Sequence, residues 1–275
     1  MRLASAALAF GLLASLGITG AGMYWFLQTH PVTAARTPLP SPIPEVEPEV
    51  PTKDASPLPE VPKSDPKSEL KALLPDKTLY LETKPDKTKR VLFVAEVCLR
   101  EGQLEVLVCK KNTKEHESIV RTEVDARLIH AALMAAGGKP GSPVKFVNKE
   151  TGEPDYKPAT GTKVAVRVAY AKGGKLYDHP AQEWIKDLKT KKAMTHDWVF
   201  AGSRFLKDPD KPEAPSYYTA NNGEVVAISN FVDSMLDLPV EVSRDNSDLS
   251  FDAMTDKIPP LLSKVWVILE PIAAK

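Results

Sequence analysis

The side chains best equipped for chemistry fall together in CKKNTKEHES, Cys109 to Ser118. His116 stands between Glu115 and Glu117, Ser118 follows, and Cys109 heads the run. An imidazole beside carboxylates and a hydroxyl can do acid–base or nucleophilic work, and can ligate a metal where donors converge. Two chemistries follow. One is a hydrolase centre built on His116, Glu117 and Ser118; the other is a metal centre using His116 and Glu117 with His130. Spacing supports neither strongly. No two histidines stand in the His-x-x-x-His relation that puts both imidazoles on one helical face, and there is no Cys-x-x-Cys. Ser203 is the other nucleophile candidate, because it follows the strand-like DWVF. Its run, Phe200-Ala201-Gly202-Ser203-Arg204, lacks the Gly-x-Ser-x-Gly elbow, so a turn is the expected role. Neither a Gly-x-x-x-x-Gly-Lys loop nor a Gly-x-Gly-x-x-Gly is present, and no cofactor is expected.

Stepping from Cys109 to the strand that carries it, RVLFVAEVCLREGQLEVLVCK reads as a hairpin turning at Glu101-Gly102. In that register Cys98 faces Glu105 and Cys109 faces Val94, with the sulfurs roughly 13 Å apart at about 3.3 Å per residue. A disulfide is then out of reach, since it requires Cα atoms about 4.4–6.8 Å apart. Two buried free thiols are the expectation, with a disulfide in another register as the alternative.

The N-terminus decides the compartment. Leu3 to Leu27 is 25 residues without a charge, preceded by Arg2 and closing on Tyr24-Trp25. A spanning helix needs about 20 apolar residues and a cleaved signal core about 7–15. Residues 1–30 are therefore expected to be a signal-anchor, single-pass, with everything after it outside the cytoplasm. Cleavage near TAA (Thr33 to Ala35), leaving a secreted or periplasmic protein, is the alternative. Residues 31–75 hold 12 of the 25 prolines and no aromatic residue, so an extended, disordered linker is expected there. The 36 basic and 36 acidic residues balance, which removes the electrostatic case for nucleic acid.

Residues 76–275 have the composition of one folded domain. TEVDARLIHAALMAAGG predicts an amphipathic helix, with Thr122 and Asp125 as a capping pair, an apolar face of Leu128, Ile129, Ala132, Leu133 and Ala136, and His130 off that face. KVAVRVAYAKGGKLYD predicts a hairpin at Gly173-Gly174, and SYYTANNGEVVAISNF another at Asn222-Gly223. KVWVILEP predicts a closing strand, and AQEWIKDLKTKKAM a short helix. No internal repeat is apparent. The fold expected is α+β: a single, mainly antiparallel β-sheet domain with one principal helix, preceded by the membrane segment and the proline-rich linker.

CKKNTKEHESIV, HAALMAAGGKPGSPV, YKPATGTKVAV, WVFAGSRF and SNFVDSMLDLPV…FDAMTDKIPP together resemble the YdjY-domain proteins frequent in planctomycete bacteria, over about residues 78 to 271. The resemblance supports treating the β-rich region as one unit and implies no particular reaction. Some members carry a ferredoxin-like label, which would need clustered cysteines for an iron–sulfur centre. Two cysteines eleven apart do not supply them. The function expected is that of a membrane-tethered extracytoplasmic domain of unknown biochemical activity, a binding or envelope-associated structural module with an envelope protein or glycan as its partner. The alternative is a hydrolase or metal-dependent enzyme using His116, Glu117 and Ser118.

Overall fold

The computed structural model describes residues 55–148, 154–242 and 250–272. Its strands are β1 (Glu69–Ala72), β2 (Leu79–Thr83), β3 (Lys89–Val97), β4 (Val106–Lys110), β5 (Ser118–Thr122), β6 (Lys145–Asn148), β7 (Pro154–Lys157), β8 (Lys163–Lys172) and β9 (Lys175–Pro180). Then come β10 (Ile185–Asp187), β11 (Trp198–Phe200), β12 (Phe205–Leu206), β13 (Tyr217–Tyr218), β14 (Val226–Ala227), β15 (Leu236–Asp237), β16 (Phe251–Ala253) and β17 (Lys264–Pro271). The α-helix among the described residues is α1 (Ala126–Ala135).

Eight strands close on themselves in the order β3–β17–β8–β11–β15–β14–β4–β5, and β5 returns to β3. Two of these pairings, β14–β15 and β4–β5, are parallel. The domain is thus a closed, mixed β-barrel, mostly β, which corrects the expectation of a single mainly antiparallel sheet in an α+β fold. Alternation shows that a strand has two faces but not which strand lies beside it. Here β3 is long enough to pair β2 along one half (Leu79↔Phe93 to Thr83↔Lys89) and β5 at its end (Glu96↔Arg121, Val97↔Val120). That second pairing closes the barrel and leaves no edge at this seam.

Closure also explains why β3 and β17 are apolar at nearly every position. Val91, Phe93, Ala95 and Val97 point into the barrel with Val265, Val267 and Leu269 of β17 and Val164, Val166 and Val168 of β8. The alternate residues Leu92, Ala169, Trp266 and Ile268 form a second cluster on the outer face. Each such side chain is worth about 1.5–3 kcal/mol on burial, so the outer cluster needs a cover.

Residues from the proline-rich segment supply it. The Lys264 amide donates to the Ser56 carbonyl (2.9 Å), the Trp266 indole N–H to Pro59 (3.0 Å), and Arg90 Nη2 to Pro62 (2.7 Å). Val61 packs on the Leu92–Trp266–Ile268 cluster with Leu70 and Tyr80. Ser64 donates through both its amide and its hydroxyl to Glu82 Oε1, each at 2.8 Å, and Glu82 is itself salt-bridged to Arg90. The folded unit therefore begins before Asp76, with residues 56–75 included. Proline fixes an extended backbone with free carbonyls, and such a strand docks well on aromatic and cationic donors. Residues 1–54, including the expected anchor, lie outside the described residues. Among the described residues no helix is long and apolar enough to cross a membrane.

Other expectations separate cleanly. The β8–β9 hairpin turns at Gly173-Gly174, both with positive φ, as its alternation predicts. AQEWIKDLKTKKAM opens as a 3-10 turn at Ala181–Trp184 and continues as β10, not as a helix. SYYTANNGEVVAISNF is not a hairpin: β13 pairs β12, β14 pairs β4 and β15, and a 3-10 turn at Thr219–Asn222 lies between them. Helix α1 takes Asp125 as its N-cap, accepting from the Arg127 amide at 2.8 Å, whereas the Thr122 hydroxyl is spent on Val94 O. Its buried face is Ala126, Ile129, His130, Ala132 and Leu133; Leu128 is exposed. The helix is rotated from the expected face, because an aromatic pocket receives His130.

Candidate functional site

The segment 111–117 exists because β4 and β5 are parallel neighbours: the chain must run back along a strand's length before β5 begins. It does so through Asn112 at φ 64° and a 3-10 turn at Glu115–Glu117. The Asn112 amide donates to Glu115 Oε1 (2.6 Å) and the Thr113 hydroxyl to Lys110 O (2.5 Å). This return aims Lys114 at three carboxylates. Its Nζ lies 2.6 Å from Glu105, 3.1 Å from Glu117 and 3.7 Å from Glu224, whose side chains are only 4%, 10% and 10% exposed. The same Nζ sits 4.2 Å from the centre of the Phe231 ring, a cation–π contact.

Phe231 belongs to a covering segment, Ile228 to Leu238. The Ile228 and Ser229 amides both donate to Glu105 O at 2.9 Å. Asn230 Nδ2 donates to Asp237 Oδ1 (3.3 Å) and Val240 O (3.0 Å), and Asp237 Oδ1 also accepts the Leu238 amide (2.7 Å). Glu224 Oε2 and, within the segment itself, Ser229 Oγ, Ser234 Oγ and Asp237 Oδ2 are buried without a hydrogen-bond partner. Unpartnered buried oxygens favour the protonated acid over the carboxylate. Burial pushes Glu224 above its ordinary value, and it pushes Asp237 up to about 7. Glu105 is raised by burial and then by its neighbour Glu117, against the pull of Lys114. Burial works to lower Lys114, but its bonds to Glu105 and Glu117 more than offset this and hold it above the usual lysine value. Asp237 can hold a proton near neutrality.

The three residues expected to form a catalytic trio diverge. His116 is solvent-exposed, its Nε2 3.8 Å from Glu117 Oε2. Glu117 turns inward to Lys114. Ser118 is buried in the barrel wall, its hydroxyl directed at the carbonyls of Val120 (2.9 Å) and Leu107 (3.3 Å). Consecutive residues entering a strand point in different directions, so closeness in sequence is not convergence.

Ser203 and His130 sit in a second cluster. Gly202 and Ser203 both have positive φ, 93° and 53°. Their amides are taken by Met235 O and Ser234 O, and the Ser203 hydroxyl donates to Asp233 O (2.5 Å) beside Thr219 Oγ1 (2.9 Å). No amide is left there to steady an oxyanion. Tyr218 gives its one hydroxyl proton to Gly202 O (3.0 Å), so the 2.8 Å contact from His130 Nδ1 is a donation by the imidazole. Burial holds His130 below its usual value, against a hydrogen bond to Gly202, and the rings of Phe200, Phe205 and Tyr218 surround it. It is a neutral, locked core histidine. Among the described residues no group of three or more His, Cys, Asp or Glu side chains could hold a metal ion, and His116 and His130 share no site.

The cysteines are both free. The hairpin expected between them does not form, since β5 lies between β3 and β4. Cys98 Sγ donates to Ser118 O (3.1 Å), and its thiol is held above the ordinary value by a hydrogen bond with Cys109 and then by burial. The 13 Å separation fails with the hairpin.

Sequence reasoning missed Lys114, Glu105, Glu224 and Asp237. The available signal was SNFVDSMLDLPV, where Ser, Asn and Asp punctuate an apolar run that has no turn glycine. Among curated proteins and among solved structures, none matches the chain. The family model of the YdjY domain matches residues 85–270. That stretch runs from just before β3 to the penultimate residue of β17, taking in the barrel, α1 and both side-chain clusters, and the chain belongs to the YdjY-domain family.

Proposed function

We propose that this protein is a binding module, tethered to the membrane by Leu3 to Leu27 and displayed outside the cytoplasm, that associates with an envelope protein or glycan. One observation carries the reading: an apolar ribbon left bare on the β12–β13 pair. Phe205, Leu206 and Tyr217 of the β12–β13 pair are about half exposed (54%, 48% and 47%). Beside them, a cleft of about 560 Å³ is lined by Pro143, Val144, Phe146, Val232 and Arg204. Covering one such side chain is worth about 1.5–3 kcal/mol, so a partner that buries two or three gains useful affinity. Nucleic acid is disfavoured by the balanced charge.

The test uses the full-length protein. Isolated envelope material, freed of lipid, should retain the wild type, and the double variant Leu206→Ser/Tyr217→Ser should lower the bound fraction about tenfold. Equal retention of the two would end the binding reading. Protease added outside intact cells should remove the domain, and full protection would end the assignment of compartment.

A further inference from the structure

Three carbonyls of the covering strand accept hydrogen bonds at intervals of three residues. Ser56 takes the Lys264 amide, Pro59 the Trp266 indole and Pro62 the Arg90 guanidinium. Three residues make one turn of a polyproline-type helix, so acceptors spaced in this way fall along one side of it. Prolines at 57, 59 and 62 favour that form, which has no internal hydrogen bonds to lose. Aromatic-lined grooves with a few fixed donors recognise such strands. Here Tyr80 stands edge-on to Trp266, ring centres 5.7 Å apart, in one cluster with Leu92 and Ile268, and Glu82 receives Ser64 at the end of the strand. The fit is specific, yet little of the strand is buried in it. Pro57, Leu58, Glu60, Lys63 and Ser64 are exposed, and Pro62 alone between 56 and 64 is fully buried, with Val61 packed on the cluster. The strand then leaves through a turn at Pro66-Lys67, both exposed. That turn is closed by the Lys67 amide on Asp65 Oδ1 (2.7 Å) and the Ser68 amide on Asp65 O (3.0 Å). Opening it costs two local hydrogen bonds and leaves the closed barrel as it is.

We propose that this strand and groove form an interface between two copies of the chain: the turn at Pro66-Lys67 opens, and Ser56–Ser64 of each copy lies in the groove of the other. The occupant is a second copy because it necessarily carries the matching strand. Every bond made within one chain re-forms across two, and the added cost is the loss of independent motion. Within one chain the strand is held at an effective concentration in the millimolar range, so exchange grows as the protein approaches that range. Once one strand has crossed, the second exchange is internal to the pair, and the two-fold arrangement leaves no groove empty. The interface uses the outer face of β2, β3 and β17 and none of the β12–β13 ribbon, so it stands apart from the binding reading above.

Leu70 packs on the same cluster as Val61, so a photo-crosslinking residue in its place reports whose strand is docked. Full-length protein carrying that residue is mixed with unaltered full-length protein labelled with heavy isotopes, equilibrated, irradiated, digested and mapped by mass. Position 70 of the light chain should join residues 56–64 of the heavy chain, in a share that rises with total protein concentration. A synthetic peptide of residues 55–64 should lower that share by competing for the groove. Val61→Ser with Pro62→Ser in the light chain weakens its own strand, and should raise the heavy-to-light ratio of crosslinks about tenfold. Crosslinks confined to the light chain's own strand at every concentration up to about 1 mM overturn the proposal, whether or not the weakened variant folds. Heavy-chain crosslinks that map outside residues 56–64 overturn it as well, because the copies then meet through another surface.

Discussion

Two buried acidic sites in this barrel meet opposite fates. On the outer face, Glu82 is fully buried yet held below the ordinary glutamate value: burial would raise it, and hydrogen bonds from Arg90 and Ser64 more than offset that. Glu96 behaves alike, burial being outweighed by Lys264 and Arg121. Under the Ile228–Leu238 cover, three carboxylates share the single ammonium of Lys114, and Asp237 has only amide donors. There burial wins, and Glu105, Glu224 and Asp237 are all raised. Burial alone does not set a carboxyl group's charge; the count of cationic donors per carboxylate does.

The largest expected effect breaks the well-paired side. Arg90→Met leaves Glu82 buried without its cation and removes a donor to Pro62, costing about 3–5 kcal/mol in urea unfolding at pH 7. Glu82→Leu added to it should recover most of the loss, since removing both charges removes the desolvation penalty. If the double variant is as unstable as the single, the ion pair is not what that face depends on.

The next effect has a sign that distinguishes the two regions. A depressed folded-state pKa, as at Glu82 and Glu96, contributes stability above the ordinary carboxylate range and loses it as pH falls through the folded value. A raised one, as at Asp237, contributes nothing destabilising below about pH 4 and costs stability as pH rises towards and through about 7. Stability should therefore peak between about pH 4 and 5. Asp237→Asn keeps an amide that can accept the Leu238 N–H and cannot ionise. A rise from 3.8 to about 7 corresponds to on the order of 4 kcal/mol at about 1.36 kcal/mol per unit, so the variant should gain up to that amount at pH 8 and under about 1 kcal/mol at pH 4. An equal gain at both pH values would place the effect in packing, not in charge.

These contrasts also mark what was legible beforehand. Strands β3, β8 and β17 and the Gly173-Gly174 turn were readable, because alternation and turn chemistry are local. Closure was not, since the Glu96↔Arg121 and Val97↔Val120 pairings join residues with nothing local in common. The helix was found at the right place, with Leu128 wrongly inside and His130 wrongly outside, because the rotation of a ten-residue helix is set by what it meets. CKKNTKEHES drew notice for His116 and Ser118, and its working side chain is Lys114. A lysine gains meaning only from acids at positions 105 and 224, which no spacing rule connects.

Two smaller predictions sharpen this last point. Lys114→Met removes the ammonium shared by Glu105, Glu117 and Glu224, and should cost about 1–3 kcal/mol at pH 7. At pH 4.5 the loss should shrink, because Glu105 and Glu224, both held above the ordinary glutamate value, need the cation less once they take up protons. His116→Ala is the control: an exposed imidazole 3.8 Å from a carboxylate that Lys114 already serves should change stability by less than about 0.5 kcal/mol. A larger loss on removing His116 would mean that the buried acids depend on it, and that the contrast between the two buried sites is partly one of solvent access.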